Sequence, residues 1–290
     1  IETNDSTVNG GFKSDDWGPS GNLIFALISN MNIRLAYSQT LARPTFREIG
    51  EFSTFDFTGG EVYIGNRNLK RTFIKNYDMR WEWFSRPGEI YAVSLFYKDF
   101  SQPIERVYNL FGENTWNNID EAKAYGMELE FRKRLDIIHS SLSHFLLGSN
   151  LSLIHSEVNI PYDEWQLIKD IRPEADRKRP FQGQSPYLVN ANLTYENPEL
   201  GVVSTLYYNI FGERLDRVSY AATPDIYEKP AGLLNFSFKY AFTEKIDLKF
   251  AANNLLNPNY TKYHSYKDKE YIYSQYKKGI SYSLGLGYNF

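Results

Sequence analysis

Hydrophobic and polar residues alternate along most of this chain with a period of two, the spacing of a β-strand whose two faces meet different surroundings. Near the end, Ile280, Tyr282, Leu284, Leu286, Tyr288 and Phe290 point one way, and Ser281, Ser283, Gly285, Gly287 and Asn289 the other. Tyr77, Met79, Trp81 and Trp83 oppose Asn76, Asp78, Arg80 and Glu82 in the same manner. So do Tyr125, Met127, Leu129 and Phe131 against Gly126, Glu128, Glu130 and Arg132, and Leu234, Phe236, Phe238 and Tyr240 against Asn235, Ser237 and Lys239. The period predicts roughly eleven strands, near 21–28, 31–40, 72–85, 89–101, 121–134, 142–157, 183–196, 201–212, 230–241, 245–254 and 277–290. Many run to about ten residues, the length a tilted membrane-crossing strand needs. Strands of soluble proteins are nearer five or six, on the order of half a bilayer.

The connections alternate in length. Short ones fall near 29–30, 86–88, 136–141, 197–199 and 243–244, and long ones near 41–71, 102–120, 158–182, 213–229 and 255–276. Short turns at one rim and long loops at the other is the arrangement of an outer-membrane barrel, with the long loops outside the cell. A soluble β-sandwich has no reason to sort its loops by parity. The fold expected is therefore all-β, an antiparallel transmembrane β-barrel. Arg80, Glu82, Glu128, Glu130, Arg132 and Lys239 then face the lumen, where they can pair. On the lipid side an Arg or Lys would cost about 2–4 kcal/mol at mid-membrane.

Composition sharpens this. Aromatic residues make up 17 % of the chain, with 23 Tyr, 20 Phe and 5 Trp, and a lipid face with interfacial girdles is a place for them. No apolar run approaches the roughly 18 residues of a membrane helix. The absence of cysteine excludes a disulfide-stapled scaffold. A net charge of −3 gives no support for a nucleic-acid partner. His139, His144, His155 and His264 lack metal spacing, no Gly-rich phosphate loop opens a helix, and the carboxylate pairs Asp163/Glu164 and Asp225/Glu228 lack an orienting base. No enzyme, catalytic residue, metal site or cofactor is expected. The polar run 1–20 reads as the start of an extracellular loop, and 21–290 as barrel, so the chain reads as one piece of a longer polypeptide.

The segment Arg34-Leu35-Ala36-Tyr37-Ser38-Gln39-Thr40-Leu41-Ala42-Arg43-Pro44-Thr45-Phe46 resembles the R-x-A-Y-S-x-T-x-x-R-P segment of TonB-dependent outer-membrane receptors. Gly65-Asn66-Arg67-Asn68-Leu69-Lys70 is similar to their G-N-P-x-L-K-P loop, with Arg67 in place of the usual Pro. Asn76-Tyr77-Asp78 through Glu82, with Ser94-Leu95-Phe96-Tyr97-Lys98, resembles their N-Y-D-x-x-x-E and S-x-F-Y-K strand pair. Ala252-Asn253-Asn254-Leu255-Leu256-Asn257 is similar to a segment near their C-terminus, and Phe290 resembles the terminal signal read by the barrel assembly machinery. The resemblance implies the C-terminal half of a barrel of about 22 strands around a plug. It implies active import through TonB of a large scarce nutrient: a ferric siderophore or haem, or an oligosaccharide or peptide. The partners it implies are the remainder of the barrel and the plug, TonB through the missing N-terminal part, outer-membrane lipids, the assembly machinery and a surface lipoprotein. The plug and TonB box are not in this sequence. The alternatives are a passive porin-like or structural barrel in an envelope complex, and a soluble β-rich binding module.

Loop aromatics and cations supply the candidate ligand residues. Tyr263, His264 and Tyr266 lie in the last long loop, and Trp165 and Arg172 in another. Rings stack on sugars or chelate aromatics while Lys and Arg hold an anion. The plainer alternative is that these rings extend the strands or form the outer girdle. The run Asp176-Arg177-Lys178-Arg179 could instead meet lipopolysaccharide phosphates at the outer rim.

Overall fold

A computed structural model describes residues 15–57, 60–171, 173–220, 223–267 and 269–288. The expected terminal signal, Phe290, and one candidate ligand residue, Arg172, lie outside them, as does most of the polar run 1–20. Eleven wall strands follow the period of two: β1 (Ser20–Ile28), β2 (Met31–Ala42), β3 (Thr72–Trp83), β4 (Ile90–Ser101), β5 (Glu121–Arg134), β6 (Phe145–Asn159), β7 (Tyr187–Asn197), β8 (Val202–Phe211), β9 (Leu233–Ala241), β10 (Ile246–Asn253) and β11 (Ser281–Tyr288). Each pairs antiparallel with its neighbour in chain order, and β1 and β11 are the open edges of the meander.

Register turns the sequence alternation into bands across the apolar face. Leu35, Met79, Leu95, Met127 and Leu153 stand side by side on β2 to β6. Two residues nearer the long loops, the same strands carry Tyr37, Tyr77, Tyr97, Tyr125 and His155 in register. Tyr37 and Tyr77 lie 5.1 Å apart between ring centroids, and Tyr125 and His155 likewise 5.1 Å. Two residues further on, the row is Gln39, Lys75, Asp99, Lys123 and Glu157. Near the short turns a second aromatic row holds Trp83, Tyr91 and Phe131, with the first two rings stacked 5.3 Å apart. The aromatic rows are six residues apart along each strand, about 20 Å at the rise of a β-strand. Such an aliphatic band between aromatic girdles suits the outer surface of a membrane barrel.

The polar face pairs its charges. Glu82 accepts from Arg34 at 2.6 Å and from Arg80 at 3.2 Å, and Arg80 reaches Glu130 at 2.7 Å. At the short-turn end, buried Glu89 accepts from Ser85 at 2.7 Å, Arg86 at 2.7 Å, Lys133 at 2.6 Å and the Arg134 backbone at 3.3 Å. Burial pushes the Glu89 carboxyl up, but the donors outweigh it and hold the pKa at about 2. Arg86 also grips Asp136 through two 2.8 Å bonds, tying the β3–β4 turn to the β5–β6 turn.

The long loops are more ordered than their sequences suggest. Four fold back as hairpins: Ser53–Asp56 with Glu61–Ile64, Ile104–Tyr108 with Glu113–Asn118, Arg214–Ser219 with Ile226–Glu228, and Tyr260–Tyr266 with Lys269–Tyr276. The hairpins join edge to edge into one eight-stranded sheet. Two joins are parallel, Tyr63 beside Asn114 and Val218 beside Val107, and one is antiparallel, Ile226 beside His264. The fifth long loop carries a helix, Tyr162–Ile171, and is anchored on this sheet. Gln182 mimics a strand there, accepting from the Arg106 amide at 2.7 Å and donating to the Arg106 carbonyl at 2.8 Å.

Candidate ligand-binding site

The site is built on the loop sheet, beginning with the segment after β2. Pro44 cannot continue a strand ladder, and Thr45 caps a single helical turn, Phe46–Ile49. The Thr45 amide donates to the Glu48 side chain at 2.6 Å and the Glu48 amide to Thr45 Oγ1 at 3.4 Å, a reciprocal capping box. Ile49 packs against the buried cluster Tyr63, Leu69 and Trp116, and Arg47, in the same turn, lies over the Tyr63 ring at 4.2 Å from its centroid. The turn is held down by a close approach of backbones. A Cβ on Gly65 would stand 2.2 Å from the Gly50 carbonyl oxygen, so only glycine fits. Asn66, the next residue, donates its amide to the Glu48 carbonyl at 2.6 Å and its side chain to the Trp116 carbonyl at 2.9 Å.

Two adjoining cavities, about 890 and about 440 Å³, share Tyr63 and Arg106 in their linings. Arg217, Lys262 and Tyr273 line the larger, and Arg47, Arg214 and Trp116 the smaller. Five cations meet three carboxylates, Asp56, Glu61 and Asp216, so the surplus is positive. Tyr63 stacks on Trp116 with centroids 5.8 Å apart.

The centre is a buried ion network. Arg217 donates to Glu61 at 2.8 Å, to Asn114 at 2.9 Å and to Asp216 at 2.9 Å. Tyr63 and Tyr273 donate to Glu61 at 2.5 and 3.0 Å. Burial raises the Glu61 carboxyl, and these donors with the Arg217 charge bring it below the ordinary carboxylate range. Asp216 is lowered too, because Lys262 at 2.9 Å and two arginines outweigh its burial. Burial pushes the Tyr273 hydroxyl up to about 12. At neutral pH the acids are ionised and the phenols protonated. Arg217 and Lys262 are therefore largely spent inside the protein, and Arg214 on Glu228 at 2.7 Å. Arg47 makes no ion pair among the described residues, and the buried Nε of Arg106 has no hydrogen-bond partner. Arg106 pairs through its Nη2 with Asp216 at 3.2 Å, so Arg47 is the lining cation without a carboxylate partner among the described residues.

None of the described residues proposed from sequence lines this cleft, and they do not converge. Tyr263 is buried and donates to Glu213 at 2.7 Å, with Lys229 over its ring. Burial first, and then Glu213, raises its hydroxyl pKa. His264 Nδ1 meets the Pro224 carbonyl at 2.7 Å, and its ring lies against Tyr273, a lining residue. Tyr266 is exposed beyond that pair, with Lys267 over its ring. Trp165 donates to the Ala175 carbonyl at 3.2 Å and stacks with Lys169, all within its own loop. The basic run is split. Arg179 is buried in a bidentate pair with Glu105 at 2.8 and 2.5 Å, which corrects its placement at the outer rim, while Lys178 stays exposed and pairs with Glu157. Arg47, Tyr63, Arg106, Trp116 and Arg217 were missed, although the T-x-x-E spacing of Thr45 and Glu48 marks the turn that presents Arg47.

A family described as TonB dependent receptor-like, beta-barrel, matches residues 2–255. Among solved structures the chain resembles the siderophore receptor PirA from Pseudomonas aeruginosa, with 16 % identity and TM-score 0.58, covering 95 % of this chain and 42 % of that one. It resembles a ferric enterobactin receptor (PfeA) variant from Pseudomonas aeruginosa in complex with enterobactin, with 14 % identity, TM-score 0.59 and coverage of 94 % and 40 %. The copper transporter OprC has 12 % identity, TM-score 0.62 and coverage of 93 % and 39 %. The chain thus spans about two fifths of the length of these structures. No curated protein sequence matches it.

Proposed function

The chain belongs to the family of TonB-dependent receptor-like β-barrels, and on that premise we propose that it is the ligand-capturing wall of an outer-membrane importer for an anionic, ring-bearing metal chelate. The family's members are outer-membrane barrels and not enzymes, which accounts for the banded apolar face. The long loops then face the cell exterior. The open edges of β1 and β11 would leave backbone groups unpaired in a bilayer, which is untenable. We assign the strands that close them, with a plug and its TonB contact, to the rest of the receptor.

The observation that carries the cargo class is Arg47 on Tyr63 beside Trp116, a cation held by a ring and not by a carboxylate. An unpaired guanidinium favours a carboxylate, catecholate or hydroxamate oxygen, and the stacked rings favour a flat ligand face. A neutral glycan would use the rings and leave the cations without a partner. The test is growth of a deletion strain on single iron sources. Loss of growth on an anionic ferric chelate, restored by the intact gene and abolished by a protonophore, is the expected result. Wild-type growth on every anionic chelate, with a defect on a neutral oligosaccharide, would overturn the cargo class. Uptake that survives the protonophore would favour a passive barrel.

A further inference from the structure

We propose that Asp216 is the specificity-determining residue of the cleft, a built-in counter-charge that favours chelates of a single negative charge over more highly charged ones. This rests on the anionic cargo proposed for the cleft and narrows it. Three hairpins converge on the Asp216 carboxylate. Lys262 donates to it at 2.9 Å, Arg217 at 2.9 Å and Arg106 at 3.2 Å. Arg106 Nη2 also reaches the Asp216 carbonyl at 3.1 Å. Burial raises the Asp216 carboxyl, and the three cations more than offset it, so the group is ionised at neutral pH.

A break in strand register puts the carboxylate there. Where Arg214–Ser219 pairs with Ile226–Glu228, Leu215 opposes Tyr227 and Arg217 opposes Ile226, which leaves Asp216 as an extra residue. Such a bulge re-aims a side chain. Successive residues of a regular strand point to opposite faces. Here Asp216 lines the smaller cavity and Arg217 the larger one adjoining it, and the two side chains are bonded to each other. Arg106 lines both cavities, so the carboxylate stands at their junction.

Its charge sets what the cleft holds. The five lining cations face Asp56, Glu61 and Asp216 in the linings and Glu228 on Arg214. One positive charge is left over, that of Arg47, and a singly charged chelate balances it. Each further anionic group on the cargo would meet cations already bound to Asp216, in a partly buried cleft that screens the mismatch less than water does. Without the Asp216 charge, Arg106, Arg217 and Lys262 would form a second anion subsite.

Calorimetric titration of the full-length receptor in detergent tests this with two ring-bearing iron chelates, ferric EDDHA, which is singly charged, and ferric enterobactin, which is triply charged. The wild type is expected to bind ferric EDDHA the more tightly. Asp216→Asn keeps the size and removes the charge. It should shift the ratio of the two affinities by roughly ten-fold toward ferric enterobactin, because the lost charge acts on more ligand charges in that complex. Adding Lys262→Gln removes the uncovered cation and should return the ratio toward the wild-type value. A merely structural Asp216 would weaken both chelates together and leave the ratio unmoved. Should Asp216→Asn loosen the loop sheet, Lys262→Gln alone carries the test, since it lowers the cleft charge and should move the ratio the other way. A wild-type preference for ferric enterobactin, or a ratio that neither substitution moves, would overturn the role of Asp216 and leave the cargo class standing. A wild type that binds neither anion but takes the neutral chelate ferrichrome would overturn the anionic cargo class, and the role of Asp216 with it.

Discussion

The guanidinium of Arg47 lies 4.2 Å from the centroid of the Tyr63 ring, and Arg47 has no carboxylate partner among the described residues. Tyr63 is fixed from two sides, by its hydroxyl on Glu61 and by stacking on Trp116. A cation held by a ring keeps its charge available, whereas one held by a carboxylate does not. Arg47→Ala is expected to weaken an anionic chelate by about 1–2 kcal/mol, roughly ten-fold, the worth of a partly desolvated cation contact. Arg47→Lys should restore part of that loss. Titration followed by tryptophan fluorescence checks both, with Trp116 in the same cavity as the reporter. An affinity unchanged by Arg47→Ala would remove Arg47 from the site.

The turn that presents Arg47 depends on Gly65. A methyl group there meets the Gly50 backbone, which has no rotamer to yield. Gly65→Ala should destabilise the loop sheet by about 1–3 kcal/mol, the usual cost of overpacking. Limited proteolysis of the loops should accelerate while the wall strands stay protected. Unchanged loop cleavage would show that the backbones can part without loss.

Glu105 and Arg179 are both buried and bonded twice to each other. Removing one leaves an uncompensated charge, so Glu105→Ala is expected to cost about 3–5 kcal/mol locally and to release the loop bearing the Tyr162–Ile171 helix. Replacing both, as Glu105→Leu with Arg179→Met, should be close to neutral. Tryptic cleavage at Lys169 and Arg177 separates the two variants. Equal cleavage of both would mean that the pair itself, and not its unpaired remnant, holds the loop.

At the short-turn end the Glu89 carboxyl is depressed to about 2. A carboxyl lowered in the folded state contributes stability above its unfolded value, and that contribution fades as pH falls toward 2. Glu89→Gln should therefore be less stable than wild type in urea at pH 7, with the gap narrowing as pH falls from about 4 toward about 2. A gap that stays constant across this range would place the effect in packing.

The two faces of β3 are expected to respond oppositely to the same substitution. Met79 lies in the aliphatic band and Asp78 on the polar face. Met79→Arg should cost about 2–4 kcal/mol in folding into lipid, and Asp78→Arg under about 1 kcal/mol. Refolding into vesicles at graded urea concentrations measures both, and equal costs would contradict the assignment of faces.

How much of this was legible without coordinates follows from the range of the forces involved. A wall strand is specified locally: alternating residues of β3 or β5 must meet two different surroundings, and a slip of one residue exchanges all of them. The strand count, the parity of the loops and the facing of Tyr77, Glu82 and Met127 are therefore written in the chain. The capping box of Thr45 and Glu48 is local as well. The loop sheet is not. Arg214–Ser219 and Ile226–Glu228 are short and rich in charge, and they become strands only because the edges of two other hairpins accept them, at Val107 and His264. The site follows the same division. The aromatic and basic richness of the last loop was visible, but Tyr263 and His264 turned out to be bonded within the loops. Which cation stays free is a matter of who reaches whom: Arg217 finds Glu61 across 156 residues, and Arg47 finds a ring. Sequence alone determined the wall and its two faces, because burial there repeats every second residue. Only tertiary structure decided the cleft, because buried charges are assigned by distance in space and not along the chain.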